Sequence, residues 1–337
     1  MAKTKNAAAR SKNPAVQATA KVAKPKASKK EPVAKTPKSL FGKWFAAARV
    51  RTLSLAVAPV AFGTGVAAAN QAVNWLNAGL ALLVALALQV GVNYANDYSD
   101  GVRGTDARRV GPFRMTASGA VKPAAVRNVA FVFFALAAAA GIALVVLTQI
   151  WWLIAVGAVA IVAAWFYTGG KKPYGYAGFG ELVAMIFFGP VAVYGTAVVQ
   201  NPVLLKGDSY TIFTTAGGAI SIGLLAAAVL LVNNLRDIEG DAAVAKKTLA
   251  VRLGVTGSKI LLAVLVVAAL AVLVPYPFFY PITMLAYFSA LFFAPALLIV
   301  FTFRSPRELV LALQLLSFGS MAFGVLLGFG LSTQYLF

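Results

Sequence analysis

From Val50 onward the chain is a succession of apolar stretches, each close to the roughly 20 residues that a helix needs to cross a bilayer. Nine can be marked, at 50–69, 75–95, 126–147, 150–168, 178–199, 212–235, 258–275, 278–302 and 308–335. Polar or proline-containing breaks separate most of them: Asn70 to Asn74, Thr168 to Tyr176, Asn201-Pro202, Pro275 to Pro281, and Arg304 to Pro306. A helix satisfies its backbone N–H and C=O groups internally, as hydrocarbon demands, and a bundle tolerates the internal prolines Pro59, Pro190 and Pro295. Only 12% of residues are charged, about half the usual share for a soluble domain. The expected fold is an all-α integral membrane protein with nine transmembrane helices.

The basic residues set the expected topology. Every Lys and Arg except Lys206 lies in the N-terminal stretch, in the loops 96–125, 169–177, 236–257 and 303–307, or at the first turn of the helix that follows. Positive residues stay inside, so the N-terminus is expected in the cytoplasm and the C-terminus outside, in a multi-pass protein of the cell membrane. Residues 1–51 hold 14 Lys/Arg and one Glu. Their first part, 1–40, reads as a disordered basic tail on the cytoplasmic side, suited to solvent or to anionic headgroups. Residues 41–337 form the membrane domain. No nucleic-acid partner is expected. There is no Cys and no His, which removes thiolate metal sites, most zinc sites and the usual general base.

Six of the ten acidic residues fall in two short stretches. One runs from Asn93 to Asp106 at the end of the second apolar segment, the other from Asn233 to Asp241 at the end of the sixth. Carboxylates at a membrane boundary are costly and mark function by default. Asn93, Asn96, Asp97 and Asp100 follow i, i+3, i+4, i+7, one face of a helix. Asn233, Asp237 and Asp241 follow i, i+4, i+8, with Asn234 three residues before Asp237. Both columns close helices, where the dipole favours cations. Hard oxygen donors without His or Cys suit Mg²⁺, which fills its remaining positions with water and phosphate oxygens. Asp97, Asp100, Asp106, Asp237 and Asp241 are the candidate metal ligands. Two such clusters facing each other would clamp a diphosphate. Their echo of one another, about four helices apart, suggests two half-bundles around a central cavity.

Around them lie basic and aromatic groups. Lys172 and Arg236 are the preferred diphosphate contacts. Arg236 is equally suited to pair with Asp100 or Glu181. Glu181 opens the fifth segment among apolar neighbours, favoured there by the helix dipole or by a role in the cavity. Aromatics including Tyr94, Tyr98, Tyr167, Tyr174 and Tyr176 gather at the same ends, where ring faces can stabilise a carbocation.

These residues resemble the UbiA-type membrane prenyltransferases. The first motif of that family is matched by Asn96, Asp97, Asp100, Gly104 and Asp106, and the second by Asp237 and Asp241. Softer words make the chain similar to the family's 1,4-dihydroxy-2-naphthoate prenyltransferases: Arg51-Thr-Leu, Gly111-Pro-Phe-Arg114, Tyr167-Thr-Gly-Gly, and Asn233-Asn-Leu-Arg-Asp237 running to Gly254. The chain has Val50 and Ser54 where the family usually has prolines. The resemblance implies Mg²⁺-dependent transfer of a chain from polyprenyl diphosphate to 1,4-dihydroxy-2-naphthoate, with loss of CO₂ to give demethylmenaquinone. It implies Asp100, Asp106, Asp237, Asp241 and Lys172 as catalytic groups, with Asn93, Asn96, Asn234, Arg236, Arg51, Arg114, Tyr167 and Glu181 binding substrate. Other acceptors, 4-hydroxybenzoate or homogentisate, are the alternative. A cation transporter is a remote one, since its acids would lie deeper in the bilayer.

Overall fold

A computed structural model describes residues 39–106, 113–206 and 209–333. The expected basic tail lies outside these, apart from its last two residues, and so do Gly111 and Pro112. Among the described residues all regular structure is helical. The helices are α1 (Leu40–Ala47), α2 (Ser54–Ala69), α3 (Trp75–Arg103), α4 (Pro123–Thr148) and α5 (Leu153–Phe166). They continue with α6 (Gly180–Gln200), α7 (Ser209–Arg236), α8 (Ile238–Ala243), α9 (Leu249–Ala271), α10 (Pro281–Thr302) and α11 (Glu308–Ser332).

All nine expected apolar segments lie on helices in the expected order. Seven of these helices are long and apolar enough to cross a membrane, and α1 with α2 makes an eighth span bent by 48°. The fourth segment is the exception in length: α5 has 14 residues, about 21 Å of helix at 1.5 Å per residue. That is short of the roughly 30 Å hydrocarbon core, so nine spans is an approximate count.

Helix ends follow local chemistry. Asn74 caps α3 by accepting the Asn77 N–H at 3.0 Å, and Gly104 closes it in the left-handed region at φ 74°. With 29 residues, α3 is about 43 Å long and overruns the hydrocarbon core. Its last turns can therefore be polar while the rest is greasy. The α6 helix breaks at a π-turn over Phe187–Val191, where Pro190 lacks a donor and Gly189 leaves helical geometry.

Helix α7 is the axis of the bundle. Some 72% of its apolar window is buried, against half or less for the other six helices long enough to cross alone. Helices α2, α6, α9 and α11 pack on it, α3 pairs with α4, and α2 pairs with α11. Small residues let α2 and α11 meet backbone to backbone: Gly65 lies against Gly328, and Gly324 against Ala58. Gly324 and Gly328 are four apart, the small-xxx-small spacing of membrane helix contacts.

This packing is testable. A Gly328→Leu side chain would fall on the Ala61 and Phe62 backbone, which cannot yield as a flexible side chain does. Overpacking of this kind costs about 1–3 kcal/mol or more. Thermal unfolding in detergent should show Gly328→Leu clearly below wild type and Gly157→Ala, which meets nothing within 4 Å, unchanged. Equal midpoints would show that the α2–α11 contact does not need its glycines.

Candidate active site

The C-terminal end of α3 and the junction of α7 with α8 meet at one end of the bundle. Asp97, Asp100, Asp106, Asp237 and Asp241 are all buried there, with Asn93, Asn96, Asn234, Arg114, Arg236 and Glu181. Burying charge is affordable only with partners and hydrogen bonds.

Each carboxylate meets a different kind of partner. Asp97 accepts the main-chain N–H groups of Met115 and Thr116, one on each oxygen, both at 2.9 Å. It therefore pins the segment after residue 113 onto α3. The same segment delivers Arg114, whose Nε lies 3.3 Å from Asp106 Oδ2. Asp106 reaches back toward it because Gly104 reverses the chain just past α3.

Asp237 is gripped by Arg236, which donates through Nε at 3.0 Å and Nη2 at 2.6 Å, and also from Nη2 to Asn233 Oδ1 at 2.9 Å. The expected alternatives for Arg236, a pairing with Asp100 or Glu181, give way to this local fork. Nor do Asn233, Asp237 and Asp241 form one unbroken helical column. The helix breaks at Asp237 (φ −99°, ψ 8°), so α7 ends at Arg236 and Asp241 rides on α8.

Asp100 and Asp241 come from motifs 141 residues apart in sequence and face one side chain, Lys246. Its ammonium lies 3.9 Å from Asp100 Oδ2 and 3.5 Å from Asp241 Oδ1. It also sits over the Tyr176 ring, 4.8 Å from the centroid. The Tyr176 hydroxyl donates to Asp100 Oδ1 at 2.7 Å. Burial, and then the charge of Asp100, push this hydroxyl well above the usual phenol range. Tyr176 thus remains a protonated donor at any physiological pH.

The polar residues divide between this centre and its supports. Asn96 accepts from Thr168 Oγ1 at 2.7 Å, and Arg103 donates to the carbonyls of Thr168 and Gly170, which ties the 167–178 loop to α3. Asn234 donates to Glu181 Oε1 at 2.9 Å. Tyr167 is half-buried and accepts the Gly175 N–H on its carbonyl at 3.0 Å. Asn93 points elsewhere: it donates to the Ala48 carbonyl at 2.9 Å and steadies the bend between α1 and α2. Arg51 and Lys172 are exposed, and among the described residues neither pairs with the cluster.

Lys246 is one of several basic residues flanking the motifs in the sequence, and from sequence alone Lys172 and Arg236 are preferred over it. No sequence signal marks it, because its placement depends on the backbone after α8. Ala245 adopts the left-handed region at φ 56°, and the loop is stitched to the Tyr174–Ala177 turn by Lys247 N–H to Tyr176 O at 2.9 Å and Arg252 to Ala177 O at 2.8 Å.

The donor set was tested against a divalent cation. Among the described residues no three acids converge on one point, so the site lacks the cage of a permanently held ion. Mg²⁺ typically takes one or two carboxylates and leaves its other positions to water and substrate phosphates. Asp100 and Asp241, facing each other across one cation, fit that requirement.

The model of the UbiA prenyltransferase family matches residues 56–322, and the chain belongs to that family. A 1,4-dihydroxy-2-naphthoate octaprenyltransferase of Mycobacterium tuberculosis is 54% identical over 214 residues, 64% of this chain and 70% of that protein. The Haemophilus influenzae protein of the same name is 38% identical over 303 residues, 86% of this chain and 95% of that one. Among solved structures, a UbiA homolog from Aeropyrum pernix K1 superposes with TM-score 0.60 at 16% identity, covering 84% of this chain and 96% of that one. A homolog from Archaeoglobus fulgidus, solved with DMAPP and Mg²⁺, gives 0.55 at 15% identity, covering 84% and 99%.

The Arg236–Asp237 pair yields a stability prediction. Arg236→Met leaves a buried carboxylate short of its bidentate partner, at a cost of about 3–5 kcal/mol. Asp237→Asn in the same background removes that charge and should recover part of the loss in a denaturant or thermal titration. A double variant as unstable as the sum of the singles would show that the two side chains do not act as a pair.

Proposed function

We propose that the chain transfers a polyprenyl group from polyprenyl diphosphate to 1,4-dihydroxy-2-naphthoate with decarboxylation, forming demethylmenaquinol, the aromatic diol whose oxidation gives demethylmenaquinone in menaquinone biosynthesis. The observation that carries the reading is the meeting of Asp100 and Asp241 across one cation. Two acidic motifs from distant helices are thereby joined into a single locus. The names of the relatives support the acceptor.

In this reading Asp100 and Asp241 would hold Mg²⁺, with Asp106 and Asp237 completing the two motifs beside them in their pairs with Arg114 and Arg236. Once bound, the ion screens the charge that develops on the departing diphosphate. Asn96 and Asn234 orient the carboxylates or add neutral oxygens. Asp97, with each oxygen on a main-chain N–H, acts chiefly by holding the segment that carries Arg114. Arg114 lies at the cluster and is better placed than Arg51 to hold the acceptor carboxylate. Arg51 and Lys172 are exposed and would contact substrate only at the mouth of the site. The apolar helices below exclude water from the allylic cation. The C–O bond to diphosphate breaks to leave that cation, the ring carbon bearing the carboxylate then forms the new C–C bond to it, and loss of CO₂ restores the aromatic ring as the 1,4-diol. A groove of about 450 Å³ between α2, α3 and α11 is almost wholly apolar. None of its lining residues belongs to the polar cluster, so it is suited to hydrocarbon and not to diphosphate.

The basic loops lie at the same end as the cluster. This supports reading the active site on the cytoplasmic face of the cell membrane, with the N-terminus inside and the C-terminus outside.

Purified protein given polyprenyl diphosphate and equal amounts of 1,4-dihydroxy-2-naphthoate, 4-hydroxybenzoate and homogentisate should prenylate the naphthoate and release one CO₂ per product. Turnover should vanish in EDTA and return with Mg²⁺, and Asp100→Asn and Asp241→Asn should each lower it below detection. Preference for a benzenoid ring would overturn the acceptor, and full turnover in EDTA would overturn the metal-dependent clamp.

A further inference from the structure

Lys246 stands between the two acidic motifs. Its side chain is almost wholly buried, 5% exposed, and its ammonium is shared between Asp100 and Asp241. The ring of Tyr176 lies against it, and that residue's hydroxyl is committed to the same Asp100 carboxylate. A buried lysine loses several rotatable bonds of freedom and must be compensated by what it touches. Here it is also held from the backbone. Its own N–H bonds the Asp241 carbonyl at 2.9 Å, and the preceding residue, Ala245, stands in a left-handed conformation that costs a non-glycine residue energy. Strain of this kind persists where the surrounding structure enforces it, and what it enforces here is the aim of one ammonium group.

We propose that Lys246 is a built-in counter-cation. It joins the two acidic motifs while no substrate is bound, and it yields the Asp100 and Asp241 oxygens when a divalent cation enters. The freed ammonium then serves the diphosphate oxygens, for which lysine is a compact point charge on a flexible stem. Lys246 therefore competes with the metal before substrate arrives and cooperates with the metal–diphosphate pair afterwards. This makes metal binding conditional on diphosphate. It rests on the reading of the cluster as a metal–diphosphate site, and it assigns to the second motif's loop a positioning role that the acids do not supply.

The competition sets the sign of each effect. Two unit charges about 4 Å apart interact strongly at a partly buried site, so removing the ammonium should tighten metal binding to the diphosphate-free protein by at least about tenfold. With pyrophosphate present the sign should reverse, because the ternary complex loses a cationic partner.

The test uses the full-length protein in detergent with Mn²⁺ as a spectroscopic stand-in for Mg²⁺. Free Mn²⁺ is counted by electron paramagnetic resonance, with and without pyrophosphate, for wild type, Lys246→Met, Lys246→Arg and the exposed neighbour variant Lys247→Met. Thermal midpoints in EDTA are read alongside. Wild type and Lys247→Met should bind Mn²⁺ weakly alone and tightly with pyrophosphate. Lys246→Met should bind it more tightly alone and less tightly with pyrophosphate, and should melt lower in EDTA with Mn²⁺ restoring the difference. Lys246→Arg keeps the charge and should follow wild type in EDTA, which covers the case in which the methionine variant fails to fold. If Lys246→Met binds Mn²⁺ as wild type does under both conditions, or if Lys246→Arg already behaves as a charge deletion would, the counter-cation role is wrong while the metal site stands. If wild type takes up no Mn²⁺ even with pyrophosphate, the underlying reading of the site fails instead.

Discussion

Everything at the polar end of this bundle answers one constraint: acids buried at a membrane boundary must be matched by positive charge or by donors. Taking even one ion out of water costs several kcal/mol after relaxation. Among the described residues, four kinds of pairing meet the requirement within a few turns. Main-chain N–H groups serve Asp97, Arg114 serves Asp106, Arg236 serves Asp237, and a single lysine serves both Asp100 and Asp241. These pairings also do the folding of the region. They dock the segment after residue 113 on α3, break α7 from α8 at Asp237, and fasten the 174–178 turn to the loop before α9.

The broad architecture was legible because hydrocarbon imposes a length and a composition that survive any detail of packing. Helices α3 and α7 are about 43 Å and 42 Å long by their residue counts, so each carries both a greasy span and a polar overhang in a single element. The paired acidic motifs were legible for the same reason. The span that departs most from expectation, α5, is all apolar, and composition does not say how deep a short helix sits.

The fine structure of the site was not legible, and particular residues show why. Helical periodicity put Asn93 and Asp97 on one face with Asp100. Yet a face only says which way a side chain leaves the helix, and three turns of α3 meet three different neighbours. Asn93 finds Ala48, Asp97 finds two loop amides, and only Asp100 faces the second motif. Adjacent residues do not face each other on a continuous helix, so the Arg236–Asp237 fork becomes possible only because the helix stops between them. Lys246 was hidden by a left-handed alanine, which nothing in residue type announces.

The central claim is that the two acidic motifs form one site and not two. A double-mutant cycle of Mn²⁺–pyrophosphate binding, with Asp100→Asn, Asp241→Asn and the pair, tests it most directly. Groups that act as a unit are strongly non-additive. The expected result is that either single substitution removes nearly all ternary binding and that the double variant loses little more. Independent, additive losses would contradict it and would mean that the end of α3 and the start of α8 bind their ligands separately.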